Sequence, residues 1–522
     1  MDLGEHQLLS YPMLKSPLID LPPTSIEIFL EWLRAHEVTF DTRLDLRQDL
    51  FSSGGHAGWS VWAKEDIQTE EILCRIPKMT CMLSHRTSSL TSSSRPQFPS
   101  RSSPAFVLSV HVLYELSLGP KSDWAGYLQS LPRQSPPLAF FWEMFAGDDG
   151  ERGWTLSQKS ELGWIVRREE RPIEVHAHDT EWGRNRMAAL QEFYSLYAEP
   201  VLRTAQCRYL TFDSFLFAYS MVSSRAFHVD SYHHVALVPV ADLFNHSPNH
   251  SVHFQADDFV CDQCGSLVPC SHDILSPETG LPHRLAHFKN IQKTELLQVL
   301  EGIDEGDIVV NQFIPKGEQI FNTYGDLSSI QLACNYGFLP EEAMTLPTDL
   351  IHFSPLVLCS SSSSSSILVA SHPWIVPTLP SVPAADRHYI NPDAQLSVDL
   401  FHSIAINVLG SEQAGWDVLS AGLEGDQGER FKNGVVRLIQ SKIDTLEASD
   451  MLCGILDDET KGPIEKMAAS LVLGERAILE ACKSQWLGED DEQESSTSLE
   501  ENDADSDDDG QSSDALSINY HG

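Results

Sequence analysis

The hydrophobic period of this chain changes three times, and that alternation constrains its fold more than any single motif does. Extended, strand-like spacing runs from 59 to 77. From 106 to about 221 apolar residues recur at helical spacing, as in Phe212, Phe215, Leu216, Tyr219 and Val222. Short β-rich runs return at 235–240, 252–254 and 296–313. Pro315-Lys316-Gly317-Glu318 then supplies a turn into a last short strand, 319–324. Beyond about 395 the helical period resumes, in Val435-Leu438-Ile439-Ile443 and Ile464-Met467-Ala468-Leu471. Two blocks of short strands separated by a long helical stretch must meet if they are to bury a common face. The expected fold is therefore α+β: a β-rich unit split by a helical insertion, followed by an all-α C-terminal domain. No internal repeat competes with that plan.

At 522 residues the chain is longer than one ordinary domain. The expected divisions are 1–105 (an N-terminal helix, the first strands and a mobile Ser-rich loop at 84–104), 106–230 (the helical insertion), 231–345 (the second β-rich part), 346–487 (the helical C-terminal domain) and 488–522 (an acidic, disordered tail). Thr24 and Glu27 have capping-box spacing, and Ile26, Phe29, Leu30 and Leu33 share one face, which predicts a helix over 24–38. Residues 65–71 read as a turn between two short strands, and the serine run 360–366 as a flexible loop.

The charge balance narrows the partners. With 35 basic and 75 acidic residues the net charge is −40. Twelve acidic residues and no Lys or Arg fall between Gly488 and Gly510, and the rest of the chain is acidic too. That argues against nucleic acid or an anionic membrane as the target and favours a basic protein. The start of the chain has no basic stretch leading into an apolar core, and no run approaches the roughly 20 apolar residues of a spanning helix. Ten scattered cysteines fit a reducing compartment. A cytoplasmic or nuclear protein, acting as a monomer, is the expectation.

Three segments carry chemistry. The first is Ala241-Asp242-Leu243-Phe244-Asn245-His246-Ser247. The second is Gly317-Glu318-Gln319-Ile320-Phe321-Asn322-Thr323-Tyr324-Gly325, followed by Asn335-Tyr336-Gly337-Phe338. The third is Ser224-Arg225-Ala226-Phe227, where helix gives way to strand. Any one alone is a common pattern: a turn, a strand-end aromatic, a helix-end cation. In this order, with Ala63-Lys64-Glu65-Asp66-Ile67 ahead of them, they resemble the SET-domain protein lysine methyltransferases. The resemblance is to the branch typified by the Rubisco large-subunit methyltransferase and the fungal ribosomal-protein lysine methyltransferases, and it covers roughly residues 25–480.

The resemblance implies S-adenosylmethionine as methyl donor. Asn245 and His246 would contact it, and Arg225 would approach its carboxylate, where a guanidinium fork suits bidentate binding. Tyr324 would be the catalytic tyrosine and also touch the donor, with Tyr336 and Phe338 lining the pocket; Phe338 also reads as a core residue. Gly58 and Trp59 would belong to the N-terminal donor loop, together with the Gly54-Gly55-His56-Ala57 stretch. The family's Gly-x-Gly becomes Gly58-Trp59-Ser60 here, and Ser60 would be strained if that position needed a positive φ. Methyl transfer to an amine is a direct displacement that needs no metal. The amine must be neutral although free lysine has a pKa of about 10.4, so an apolar channel and in-line alignment carry the reaction. A tyrosine of pKa about 10 is mostly protonated and serves better to orient the amine than to deprotonate it.

The expected substrate is a lysine on a basic protein such as a ribosomal protein or histone. A catalytically silent fold acting as a protein-binding adaptor, and a histidine acceptor, are the alternatives. Separately, Cys261-x-x-Cys264-Gly265 followed by Cys270-x-His272 offers three thiolates and an imidazole, a ligand set for one structural zinc. An exposed loop with incidental or redox-active cysteines is the other reading. His283 and His287 are substitute ligands, or a solvated helix face.

Overall fold

A computed structural model describes residues 14, 26–49, 58–94, 96–144, 149–167, 186–277, 280–288, 304–340, 349–353, 373–377 and 387–488. The Gly54–Ala57 stretch, the serine run, residues 296–303 and the tail beyond Gly488 lie outside them. The first helix is Ile26–Ala35, which buries Phe29 and Leu33 as its periodicity requires. Strands β1 (Thr39–Phe40), β2 (Leu44–Asp49), β3 (Gly58–Ala63), β4 (Ile72–Pro77) and β5 (Leu83–Ser84) follow. Helices then dominate up to Phe212–Arg225. Strands β6 (Ala226–His228), β7 (Val235–Leu237), β8 (Val252–Ala256) and β9 (Glu305–Val310) come next.

The two strand blocks do meet. One sheet runs β1-β4-β9-β8, another joins β5 to β7 and β6, and β2 pairs with β3. Each of the first two mixes strands from both sides of the helical stretch, so neither block could bury its faces alone. The insertion helix Pro104–Leu118 is buried nearly all round and packs on Phe212–Arg225. It lies in the same apolar core as the strands, so the insertion is part of the β-rich unit's interior.

Three expectations are modified. The 84–104 segment, expected as a loop, carries regular structure: β5 ends in it at Ser84, the Ser89–Ser94 helix follows, and Leu90 is buried. The Glu115 carboxylate, itself buried, accepts from the Ser88 and Ser89 hydroxyls and fixes that helix start. Residues 319–324 form no regular strand, only isolated bridges. The C-terminal unit opens on four two-residue strands, β10 (Ile351–His352), β11 (Ile375–Val376), β12 (Tyr389–Ile390) and β13 (Leu396–Ser397), before its helices. Strands of two residues leave no alternation for a periodicity reading to detect. The helices Val398–Leu409, Glu412–Ser420, Gly425–Ile443, Ser449–Asp457 and Pro463–Leu487 complete the unit around its own core. Among the described residues no helix is long and apolar enough to cross a membrane.

Candidate active site

Residues 317–324 sew the site together. Their first half runs beside β3: Gly317 N–H donates to Ala63 O at 2.8 Å, and Ile320 N–H to Val61 O at 2.8 Å. Their second half crosses the 245–247 segment: Asn322 N–H donates to Asn245 O at 2.8 Å, and Ser247 N–H to Asn322 O at 3.2 Å. Because these backbone groups satisfy one another across two segments, neither needs a regular strand to be buried. Gly317 (φ +88°) and Gly325 (φ +108°) make the turns at either end, where a side chain would be strained.

Tyr324 sits just past that crossing. Its N–H donates to His246 Nδ1 at 3.1 Å, which leaves the proton of a neutral His246 ring on Nε2. Its hydroxyl donates to Phe244 O at 3.3 Å. The ring stacks on His246 (centroids 5.0 Å) and on Tyr336 (4.6 Å), and Phe338 stands edge-on at 6.2 Å. Tyr336 and Phe338 are therefore brought to Tyr324, and Phe338 is half-buried rather than core. Burial pushes the Tyr324 phenol well above its usual value, with Tyr336 and Asp242 adding to the shift and Arg225 opposing it. The group is a neutral hydrogen-bonding phenol at physiological pH.

The insertion positions this aromatic wall. Ser223 Oγ donates to Asn335 O at 2.9 Å, and the buried Arg186 reaches Asn335 Oδ1 at 2.8 Å, just ahead of Tyr336. Gly337 (φ +76°) passes so close to Pro137 that an added Cβ would lie 2.9 Å from its backbone nitrogen.

Arg225 ends its helix and turns toward Asp242. Its Nη1 donates to Asp242 O at 3.1 Å and to Asp242 Oδ2 at 3.2 Å. The same oxygen accepts from the Tyr127 hydroxyl at 2.9 Å. Burial raises the Asp242 carboxyl from its usual value, against the lowering effect of Arg225 and of the Tyr127 hydrogen bond. Sequence reasoning gave neither Asp242 nor Tyr127 a role. Asp242 lay inside a quoted motif, whereas Tyr127, on the short Ala125–Leu128 helix, had no local signal. Just upstream, buried Val240 adopts φ +75° and ψ −49°, close to a strained γ-turn and rare for a β-branched residue. Such strain is held where the surrounding packing over-determines the backbone, often at functional sites.

At the start of β3, Gly58 and Trp59 are partly exposed, and an added Cβ on Gly58 would meet no atom within 4 Å. Ser60 carries no positive φ. It pairs with Arg47 in the regular β2–β3 ladder and accepts from Trp62 Nε1 at 2.9 Å. The expected strain at Ser60 is absent because a strand conformation suits any residue.

No family model matches the chain. Over 178 residues it is 30% identical to ribosomal lysine N-methyltransferase 3 of Saccharomyces cerevisiae, covering 28% of this chain and 32% of the relative. It is 24% identical to protein SET DOMAIN GROUP 40 of Arabidopsis thaliana over 426 residues, 78% of this chain and 73% of that one. The match therefore spans about a third of the yeast relative's length and nearly three quarters of the plant relative's. Among solved structures, the SET domain of LSMT bound to lysine and AdoHcy superposes with a TM-score of 0.53 at 16% identity, covering 89% of this chain and 91% of that one. Rubisco LSMT bound to AdoMet gives 0.51 at 15% identity, over 89% and 92%. The chain has the SET-domain fold in its Rubisco LSMT arrangement. In this SET fold a helical stretch separates the two strand blocks, and helices make up most of the C-terminal unit.

A second cluster lies outside the pocket. The ligand atoms of Cys261, Cys264, Cys270 and His272 all fall within 4.8 Å of one another. Cys264 Sγ is 3.7 Å from Cys270 Sγ, and His272 Nδ1 is 3.6 Å from Cys270 Sγ and 3.8 Å from Cys261 Sγ. A tetrahedral zinc with Zn–S bonds of about 2.3 Å places its sulfurs about 3.8 Å apart, so the cage has the right size. Gly265 follows the knuckle with φ +74°, and an added Cβ would strike the Tyr232 ring at 2.8 Å. His283 lies on the 3-10 turn His283–Phe288 and is not in the cage; the His287 side chain is outside the described residues.

Proposed function

We propose that this chain is an S-adenosylmethionine-dependent protein methyltransferase acting on a lysine side chain of a basic protein. The observation that carries the reading is the Tyr324 phenol, set at the crossing of two threaded segments and ringed by His246, Tyr336 and Phe338. The names of the yeast relative and of the LSMT complexes point the same way.

The residues fit a methyl donor. Two buried polar atoms at the crossing, Asp242 Oδ1 and Asn322 Nδ2, have no hydrogen-bond partner among the described residues. Buried polar groups are normally paired, so an orphan acceptor and an orphan donor beside an aromatic wall mark a ligand's place. Arg225, Asn245 and His246 would hold the donor, with open space at Gly58 for its other flank. When bound, the donor supplies an electrophilic methyl group on a sulfonium.

The chain's own residues do the rest. The aromatic wall excludes water and disfavours an ammonium, so the acceptor amine reaches the site neutral. The neutral Tyr324 hydroxyl orients it and does not remove its proton. Asp242 fixes the Arg225 guanidinium, and Tyr127 fixes Asp242. Alignment, rather than acid–base chemistry, supplies the acceleration. Ser60, in an ordinary strand conformation, lends no support to a silent adaptor.

We also infer that Cys261, Cys264, Cys270 and His272 hold one structural zinc. Metal analysis of the purified chain should return one zinc per molecule, and Cys264→Ser should lose it. The enzymatic test is transfer of labelled methyl groups to an extract lacking this protein, beside the Tyr324→Phe variant. A band labelled by the wild type alone, with label on lysine, is the expected outcome. Label on histidine would correct the acceptor, and no labelled band would sink the reading.

A further inference from the structure

Arg225 stands at the mouth of a hairpin. It leads directly into β6, and β6 pairs with β7 as Ala226 with Leu237, Phe227 with Ala236 and His228 with Val235. Beyond β7 the chain runs through strained Val240 to Asp242, the residue that holds the Arg225 guanidinium. The two partners of that ion pair are thus carried by the two arms of one hairpin. Its closed end is the 229–234 turn, where Val229 N–H donates to His234 O at 2.8 Å and His234 N–H to Asp230 O at 2.8 Å. His234 takes φ +55°, a conformation uncommon for a residue with a side chain.

The segment that carries the Cys261–His272 cage grips this turn from several sides. The Tyr232 ring packs on the small core of Val260, Leu267, Leu281 and Leu285. It also lies against the cage's own Gly265, where an added Cβ would fall 2.8 Å from a ring carbon. Ser231 Oγ donates to Val260 O at 3.0 Å, one residue before the first cage cysteine. Arg86 donates to Tyr232 O and to Asp262 O, each at 3.4 Å, and its guanidinium lies 5.0 Å over the Tyr232 ring. The fully buried Lys78 ammonium pairs with Asp230 at 3.0 Å and donates to Asp257 O at 2.8 Å, where the segment leaves β8. The Asp230 carboxylate also accepts from the Tyr232 and His233 N–H groups, at 3.0 and 2.7 Å.

These contacts run to backbone and to Gly265, so the cage acts on the turn through the shape of its loop. That loop closes through Gly265 N–H to Cys261 O at 2.8 Å and Cys261 N–H to Ser266 O at 2.9 Å. A bound cation holds three thiolates and an imidazole together within 4.8 Å. With the metal gone, only a weak thiol contact at 3.7 Å joins Cys264 to Cys270, and the Gly265 turn is free to lift from Tyr232. A hairpin of three residue pairs is marginal by itself. Its position therefore depends on β5, which pairs with β7, and on this grip at the turn. From Val229 back to Arg225 is roughly 14 Å of strand, short enough for a tilt at one end to reach the other.

We propose that the metal cage is coupled to the methyl-donor site: zinc fixes the cage loop, the loop fixes the 229–234 turn, and the turn sets the Arg225–Asp242 geometry on which donor affinity depends. Tyr232 is the positioning residue through which the coupling passes. This rests on the zinc and methyltransferase readings. Coupling between two bound ligands is reciprocal, so the donor tightens zinc by the same factor as zinc tightens the donor.

The test titrates S-adenosylmethionine calorimetrically into the full chain, zinc-loaded and chelator-depleted, with circular dichroism to follow the fold of each. Zinc loading should tighten donor binding about tenfold, and saturating donor should tighten zinc about tenfold against a chromogenic chelator. Tyr232→Phe keeps the ring and should behave as wild type. Tyr232→Ala should keep one zinc, bind the donor about tenfold more weakly than the zinc-loaded wild type, and show no further change on depletion. In transfer assays it should raise KM for the donor and leave kcat unchanged. A cage that only stabilised the fold would not yield a zinc-loaded variant with weak, metal-independent donor binding. Equal donor affinity in the zinc-loaded wild type and Tyr232→Ala overturns the coupling, even where the depleted chain unfolds, and leaves both earlier readings standing. A chain that takes up no zinc overturns the zinc reading and the coupling with it. Zinc uptake without donor binding by any form overturns the methyltransferase reading and the coupling together.

Discussion

On the proposed reading Tyr324 concentrates the chemistry in one hydroxyl. Removing it in Tyr324→Phe keeps the stacking on His246 and Tyr336 but deletes the group that orients the acceptor. We expect kcat to fall by about 10²-fold or more, as for loss of a positioned hydrogen-bond donor, with donor affinity by calorimetry changed less than threefold. Gly265 is the other position where one atom decides an outcome. A Cβ there is both at positive φ and 2.8 Å from the Tyr232 ring. Gly265→Ala should cost about 1–3 kcal/mol locally and speed zinc release to a chelator several-fold, while transfer to a short peptide acceptor at saturating donor is unchanged. Both residues were visible in the sequence, because a Tyr-Gly after a turn and a glycine after Cys-x-x-Cys are local patterns.

At the scale of elements, the long Pro463–Leu487 helix depends on a residue far away in the chain. Its first backbone N–H groups, Ile464 and Glu465, donate to Asp149 Oδ2 at 2.9 Å and Oδ1 at 3.1 Å. Asp149 starts the Asp149–Ser157 helix, so the carboxylate of one helix caps another. Gly462 is required beside it, since an added Cβ would lie 2.2 Å from the carboxylate. Asp149→Ala should lower stability by about 1–2 kcal/mol, and Gly462→Ala by a comparable amount, read as the midpoint of denaturant unfolding. The sequence shows the helix by its apolar stripe but not its cap, which comes from the insertion. The strand-like reading of 319–324 failed at this same scale. Those residues divide their hydrogen bonds between β3 and the 245–247 segment, and no alternation of side chains records that.

Across the whole molecule the two large cores are joined by that helix. Ile464, Met467, Ala468 and Leu471 pack into the first core, and Val472, Ile478, Leu479 and Trp486 into the second. Buried charge sits at the junction. Glu475 accepts from the Glu161 N–H at 2.7 Å, and Glu161 in turn holds His352 Nδ1 at 2.7 Å, with Lys442 3.5 Å from Glu475. Burial pushes the Glu475 carboxyl up to about 7, with Glu161 adding to the rise and Lys442 opposing it. Burial likewise raises Asp349 to about 6. Both bind a proton more tightly in the folded state, so their contribution is fully present below the ordinary carboxyl range and is lost as pH rises through 6 to 7. These two groups should therefore lower the melting temperature as pH rises from about 4.5 to about 7, and Glu475→Gln should flatten that fall. An unchanged slope in the variant would remove Glu475 as the source.

The sequence by itself determined the order of elements, the three segments that meet at Tyr324 and the Cys261–His272 cluster, because each rests on residues close together in the chain. The tertiary structure alone decided that Tyr127 holds Asp242 and Arg225, that 317–324 stitches β3 to the Asn245–His246 pair, and that one helix serves two cores. Those contacts join residues far apart in the chain, and periodicity reports which face of an element is buried but never against what.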